Sequence, residues 1–345
     1  MKVINIKEFK KKFSHDSKLD VNQRIKSEAT YMNTFSEIDE FHFAKFYDCF
    51  YDNQNYYIIS ELLDCNLQHP SFMETFDEMP LIEKLKWMLD MAKGVDTIHN
   101  FSKNKSNIKG DKKTYNSPLA VAHNDIKPEN FMVSFKYGRF KIIDMGLVWP
   151  IGESMWAGTE IFMPPEKINN HNFKIQTSND IWSLGITFGR LLHKDKQWPQ
   201  KEFKEAKDNG KKIDNGFYKD LITKFKCSSF KIHQNNQDKY NETTIWNKFI
   251  EFISEKMLNV DVRSRVTIDK IVEKLNKFID KLNNNQSSFS SNNKRQLSNN
   301  EHRLYPSIED ALELKFLTPD MKQHRNNDFE GRLEDPEKRI KMYII

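Results

Sequence analysis

HNDIKPENFMV (123–133) places a His, an Asp, a Lys and an Asn within positions 123–130, with Pro128 just ahead of the last polar pair. Asp125 brings a carboxylate, Lys127 an ammonium and Asn130 a neutral amide oxygen. Pro128 stiffens the turn between them. The apolar FMV that follows reads as the start of a strand, and IIDMG (142–146) brings a second carboxylate, Asp144. A proton acceptor, a cation and hard oxygen donors in one short stretch read either as a polar surface turn or as a reaction loop. The surrounding chain decides between them.

The chain has 345 residues, enough for two domains or for one bilobed domain with a tail. Its apolar fraction of 38%, with 26 Phe, can build a large core in which Phe dominates. The net charge is +5, from 54 basic and 49 acidic residues interspersed, which does not argue for a nucleic-acid partner. Cys49, Cys65 and Cys227 lie too far apart for a disulfide framework or a metal-ligand pattern, which suits a reducing compartment. MKVINIKEFKKKF lacks a secretory apolar region, and no uncharged apolar run approaches the length of a membrane span. The expectation is an intracellular, cytoplasmic protein with no membrane span.

Upstream of the loop, KVINIK (2–7) is short and alternating and predicts a strand. VNQRIKSEATYMNTFSEID predicts a helix over about 21–39, with Ile25, Met32, Phe35 and Ile38 near helical spacing. Two apolar runs around DNQN then predict an antiparallel hairpin. From position 80 the pattern turns helical: PLIEKLKWMLDMAKGVDTIH carries Leu81, Leu85, Met88, Leu89 and Ala92 on one face. Residues 100–118 are lysine-rich and aperiodic, an exposed insert. FMVSF and RFKIID predict strands; DIWSLGITFGRLLH, TIWNKFIEFISEKML and TIDKIVEKLNKFIDKL predict helices. After about 282 the composition becomes polar and of low complexity. The fold class is α+β: a small sheet-and-helix lobe (1–62), a larger helical lobe (63–282) and a disordered tail (283–345).

HNDIKPEN, IIDMG, GTEIFMPPE (158–166) and DIWSLGI (180–186), in that order and followed by Arg265 in RSRVTID, resemble the eukaryotic protein kinase family. The resemblance covers roughly residues 3–280 by motif placement. It implies a bilobed fold, ATP and Mg²⁺ as cofactors, and a protein substrate bearing the acceptor hydroxyl. Lys127 and Thr159 stand where the Ser/Thr members of the family carry lysine and threonine.

Physical chemistry gives these residues the same work. Phosphoryl transfer needs an oriented hydroxyl and neutralised charge more than covalent help. Asp125 can accept the hydroxyl proton and aim the oxygen, and Lys127 can neutralise the γ-phosphate. Asn130 and Asp144 offer hard oxygens to Mg²⁺. By resemblance, Asp180 binds the backbone of the catalytic loop, and Glu166 pairs with Arg265. Lys7 and Glu28 have the separation of the phosphate-pairing lysine and its helix glutamate, and Asn5 stands where an alanine packs on adenine. Ser60 becomes the gatekeeper, the backbones of Glu61 and Leu63 meet the adenine edge, and Met132 forms its floor. Met32, Phe46, His123 and Met145 form an apolar column between the lobes.

Three departures qualify the resemblance. Asn124 replaces the arginine that commonly receives a phosphorylated activation loop, so the segment from Asp144 to Glu166 is expected to need no phosphorylation. Met145 replaces a phenylalanine, a volume-tolerant exchange. No G-x-G-x-x-G occurs among the 11 glycines, and no strands precede KVINIK to carry one. The leading expectation is a protein Ser/Thr kinase. The alternatives are a pseudokinase scaffold and an incomplete piece of a longer active kinase. The sequence carries no signal of oligomeric state.

Overall fold

The computed structural model describes residues 1–12, 21–52, 54–101, 120–134, 138–168, 170, 172–228 and 237–290. Most of the expected insert at 100–118 and the tail beyond 290 therefore lie outside the described residues.

The small lobe begins with β1 (Lys2–Asn5) and α1 (Ile6–Lys12), continues through α2 (Val21–Ile38), and closes with the hairpin β2 (Phe46–Tyr51) and β3 (Asn55–Ser60). Its antiparallel sheet has the order β1-β3-β2, with Lys2 opposite Ile58 and Val3 opposite Tyr57. KVINIK is thus a strand only as far as Asn5. The Asn5 side chain accepts the amide of Glu8 at 3.1 Å and caps α1, as short polar side chains do at helix starts. That turn ends the strand and carries Lys7 away from it.

On α2, Ile25, Ala29, Met32 and Phe35 fall three or four residues apart and are all buried. Phe35 stacks on Phe43 at 4.9 Å, tying α2 to the segment that leads into β2. Glu28 lies between these apolar positions and is itself only 3% exposed. The helix thereby drives one carboxylate into the space between sheet and loop.

The large lobe follows with β4 (Cys65–Asn66), α3 (Pro70–Glu78), α4 (Leu81–His99), β5 (Val121–Ala122), β6 (Phe131–Ser134), β7 (Arg139–Ile142) and β8 (Trp149–Pro150). Then come α5 (Pro165–Ile168), α6 (Thr177–Leu192), α7 (Gln200–Asp208), α8 (Asn215–Ser228), α9 (Gln237–Phe252) and α10 (Ile268–Ser290). The strands form two small antiparallel sheets, β4-β6-β7 and β5-β8. Leu81, Leu85, Met88, Leu89 and Ala92 of α4 are buried, as their spacing predicts. α6 is buried from Asn179 through Leu192 and forms the centre of the lobe. α10 packs along α4 and runs to Ser290, past the boundary expected at 282.

Met32 and Met145 share one core, with Phe46 packed against it, and His123 is fully buried. Cys49, Cys65 and Cys227 are free thiols. Among the described residues no helix is long and apolar enough to cross a membrane.

Candidate active site

Residues 123–127 leave β5 and enter a 3-10 turn at Pro128–Asn130 that leads straight into β6. The turn hangs on Asp180 at the start of α6. Its buried carboxylate accepts the amides of His123 at 2.7 Å and Asn124 at 2.8 Å, and meets His99 Nε2 at 3.0 Å. Burial alone would raise the carboxyl's pKa; His99, His123 and the backbone amide outweigh it and hold the group below its usual range. Asn124 takes a φ of 63°, a left-handed conformation that asparagine tolerates better than most residues. Its Nδ2 donates to the carbonyls of Ala122 and Leu147, each at 3.1 Å, so the side chain ties β5 to the start of the activation segment.

Asp125, Lys127, Asn130 and Thr159 form one hydrogen-bonded group. Lys127 Nζ donates to Asp125 Oδ2 at 2.6 Å and to Thr159 Oγ1 at 2.8 Å. Thr159 donates its hydroxyl (2.7 Å) and its amide (3.0 Å) to Asp125 Oδ1. Asn130 Nδ2 donates to the Asp125 carbonyl at 2.8 Å. Gly158 makes the close approach possible. Its φ is 128°, and a Cβ there would stand 2.7 Å from the Asn124 carbonyl oxygen.

The second group spans the lobes. Lys2 Nζ donates to Glu28 Oε1 at 2.6 Å and to Asp144 Oδ1 at 2.8 Å. Burial disfavours the lysine's charge, yet the two carboxylates outweigh it and raise its pKa. Asp144 is likewise held below its ordinary range: Lys2 and the Gly146 amide overcome the effect of burial. Burial, only partly offset by Lys2, pushes Glu28 upward. Asp144 has a φ of 62°, which turns its carboxylate toward Lys2 and Gly146. A Cβ on Gly146 would lie 2.9 Å from Glu28 Oε2 and 3.1 Å from Asp144 Oδ1, so a side chain there would push these carboxylates aside.

This geometry corrects the sequence reading of the lysine. Lys7 is exposed on α1 and does not meet Glu28; Lys2 does. Asn5 is engaged elsewhere as well: its side chain caps α1 and bonds Asn55, so it does not take the place expected of it beside adenine. The signal was present in the sequence: Asn5 followed by Glu8 is a helix-start pattern that ends the strand before Lys7.

Ser60 ends β3, and Glu61 follows with its amide already given to the Lys45 carbonyl at 2.8 Å. The Glu61 carboxylate accepts Lys141 Nζ at 2.7 Å and the Lys45 amide at 3.1 Å, fixing the connection between lobes. The Leu63 side chain is buried; Met132 is half-buried on β6, opposite Asn66 and Lys141.

The activation segment is held by backbone pairing and a small apolar cluster. β8 pairs with β5, the Gly152 amide donates to the Ile175 carbonyl at 2.9 Å, and the Ile175 amide donates to the Glu153 carbonyl at 2.9 Å. Met155 packs with Ala122 and Ile175, flanked by Leu147, Trp149 and Ala157. Arg24 of α2 reaches into this cluster, donating to Met155 Sδ at 3.3 Å and lying 5.6 Å from the Trp149 ring centroid. Ser154 stays exposed. At the far end Arg265 grips Glu166 through two bonds of 2.7 and 2.9 Å.

The donor set suits a small hard cation. Asn130 commits its Nδ2 to Asp125, which leaves its amide oxygen as a neutral donor, and Asp144 supplies an anionic one. Mg²⁺ takes few protein ligands beside phosphate oxygens. A two-residue set therefore fits it, although no cluster of three or more His, Cys, Asp or Glu able to hold a metal occurs among the described residues.

The protein kinase domain model matches residues 1–275. Dual specificity mitogen-activated protein kinase kinase 1 of Dictyostelium discoideum is 24% identical over 176 residues, which are 49% of this chain and 23% of that protein. Serine/threonine-protein kinase MPS1 of Encephalitozoon cuniculi is 28% identical over 159 residues, 44% of this chain and 23% of the relative. An Aurora kinase of Dictyostelium discoideum is 30% identical over 145 residues, 38% of this chain and 36% of the relative. The matched stretches thus span 23–36% of these relatives' length.

Proposed function

Since this chain belongs to the protein kinase domain family, we propose that it transfers the γ-phosphate of ATP to serine or threonine hydroxyls of proteins. One observation carries the reading: the Lys2–Glu28–Asp144 group and the Asp125–Lys127–Thr159 group are both assembled in one structure. An assembled lysine–carboxylate pair and a poised carboxylate are two of the parts that phosphoryl transfer uses.

In this account Asp125 accepts the hydroxyl proton and aims the attacking oxygen. Its carboxylate is held by Thr159 and Lys127, so little reorganisation is needed when substrate arrives. Lys127 offsets negative charge on the transferring group, and Lys2, oriented by Glu28, pairs with the phosphates. Asn130 and Asp144 would hold Mg²⁺, which supplies charge neutralisation between phosphate oxygens. The Glu61 carbonyl and the Leu63 backbone would receive the adenine edge, with Met132 beneath it. Thr159, closed on both Asp125 and Lys127, favours an aliphatic hydroxyl acceptor.

The test is transfer of labelled γ-phosphate from Mg·ATP to a generic protein substrate, followed by identification of the labelled amino acid. The expected result is label on serine or threonine, lost in Asp144→Asn. Folded, unmodified chain that transfers nothing, or that labels tyrosine, would overturn the reading.

A further inference from the structure

Beneath residues 159–164 lies a small cavity lined by Asn124, Asp125, Thr159, Lys167, Asn179 and Ser183, among others. Lys167 is the second residue after Pro165 on α5 and is 1% exposed. Burial of its side chain disfavours the ammonium, which is costly to take out of water. Two neighbouring amides are unsatisfied. Both polar side-chain atoms of Asn179 are buried without a partner, and so is Asn124 Oδ1. The Asn124 amide is not free to flip, because its Nδ2 is fixed by the Ala122 and Leu147 carbonyls. A packing role would be better served here by an aliphatic side chain.

The carboxylates that act on Lys167 come from three places: Asp125 on the catalytic loop, Asp180 on α6 and Glu166 on α5. Each already has its own cationic or histidine partner, namely Lys127 for Asp125, His99 for Asp180 and Arg265 for Glu166. His123 also acts on Asp180. Lys167 is therefore a cation shared by these carboxylates, and it lines one cavity with Asp125.

We propose that Lys167 is a positioning residue for phosphoryl transfer: its ammonium offsets the acidic cluster so that the Asp125 carboxylate stays fixed and the anionic phosphoryl group is not repelled. The inference rests on the transfer reading above. Burial pushes the lysine down to about 8, against the pull of Asp180, Asp125 and Glu166, so its charge is lost within the working pH range.

The first experiment needs no catalysis: an NMR titration of the full chain labelled with ¹³C at the lysine ε-carbons, with Lys167 assigned from Lys167→Arg. The expected result is a midpoint near 8 that moves lower in Asp125→Asn, because a neighbouring anion is gone. A midpoint near the ordinary 10.5, or one unmoved by Asp125→Asn, would overturn the coupling. The second reads transfer against pH. The kcat of the unmodified chain should fall as pH rises through about 8 at constant KM for ATP. Lys167→Arg should carry it flat to about pH 9, since guanidinium keeps its proton. Lys167→Met should melt at higher temperature yet turn over about tenfold more slowly near neutral pH. An identical alkaline limb in the Arg variant, or unchanged kcat in the Met variant, would refute the proposal. A chain silent in transfer would refute the transfer reading, while the titration still judges the coupling.

Discussion

Thr159 shows how much of the site depends on one hydroxyl. It donates to Asp125 and accepts from Lys127, so it joins the proton acceptor to the cation beside it. Hydrogen bonds to charged groups contribute about 1.5–3 kcal/mol, so Thr159→Val should slow transfer by about ten- to a hundredfold. The measurement is kcat with a peptide substrate, with the KM for ATP expected to hold. An unchanged kcat would place Thr159 outside the reacting group. Asn124 acts differently. Where a cation could have received a phosphate, a neutral amide ties Ala122 to Leu147.

That difference becomes a property of the activation segment. Residues 149–155 are held by β5–β8 pairing, by two hydrogen bonds to Ile175 and by Met155 in its apolar cluster, with Arg24 against a sulfur and an indole. None of these contacts needs a phosphate. Activity should survive phosphatase treatment and Ser154→Ala alike, both read as initial transfer rates. Loss in both would show that a phosphoserine orders the segment after all. The Glu166–Arg265 pair secures the other end, and Arg265→Met should cost about 1–3 kcal/mol in denaturant unfolding by leaving the half-buried Glu166 carboxylate and the Ser178 and Asn259 carbonyls without their donor. A change below about 1 kcal/mol would mean the pair is no anchor.

Elements were legible in the sequence where a long periodic pattern met a buried face, as in α2, α4 and α6. The catalytic loop was legible because its chemistry is local: Asp125, Lys127 and Asn130 lie within one turn. Lys2 was not, because its two partners come from residues 28 and 144, and strand periodicity cannot say where β1 gives way to α1. Only the Asn5 cap marks that boundary. Lys167 escaped notice because one lysine beside a Pro-Pro-Glu run looks like surface until its burial is known.

At the scale of the molecule, the lobes are joined by half-buried ionic contacts away from the reacting groups. His42, just before β2, meets Asp39 at 2.7 Å and Asp90 of α4 at 3.0 Å. Burial would lower the imidazole's pKa, but the two carboxylates raise it to about 9 from 6.5. The raised pKa gives the sign. The contact's stabilisation is fully present below about pH 6.5 and is lost as pH rises through about 9. A shift of this size is worth on the order of 3 kcal/mol. His42→Gln should therefore lower the melting temperature most at pH 6 and least near pH 10; an equal loss at both would contradict the ionic contact. Across this assembly, Lys2 joins Glu28 of the small lobe to Asp144 of the large lobe and so completes the site. The most direct test is the kcat of Lys2→Met beside that of Lys7→Met, with labelled Mg·ATP and one peptide. The result expected is a loss of about a hundredfold or more in the first and a change within about twofold in the second. Full activity in Lys2→Met, with loss in Lys7→Met, would show that Lys7 and not Lys2 is the phosphate-pairing lysine.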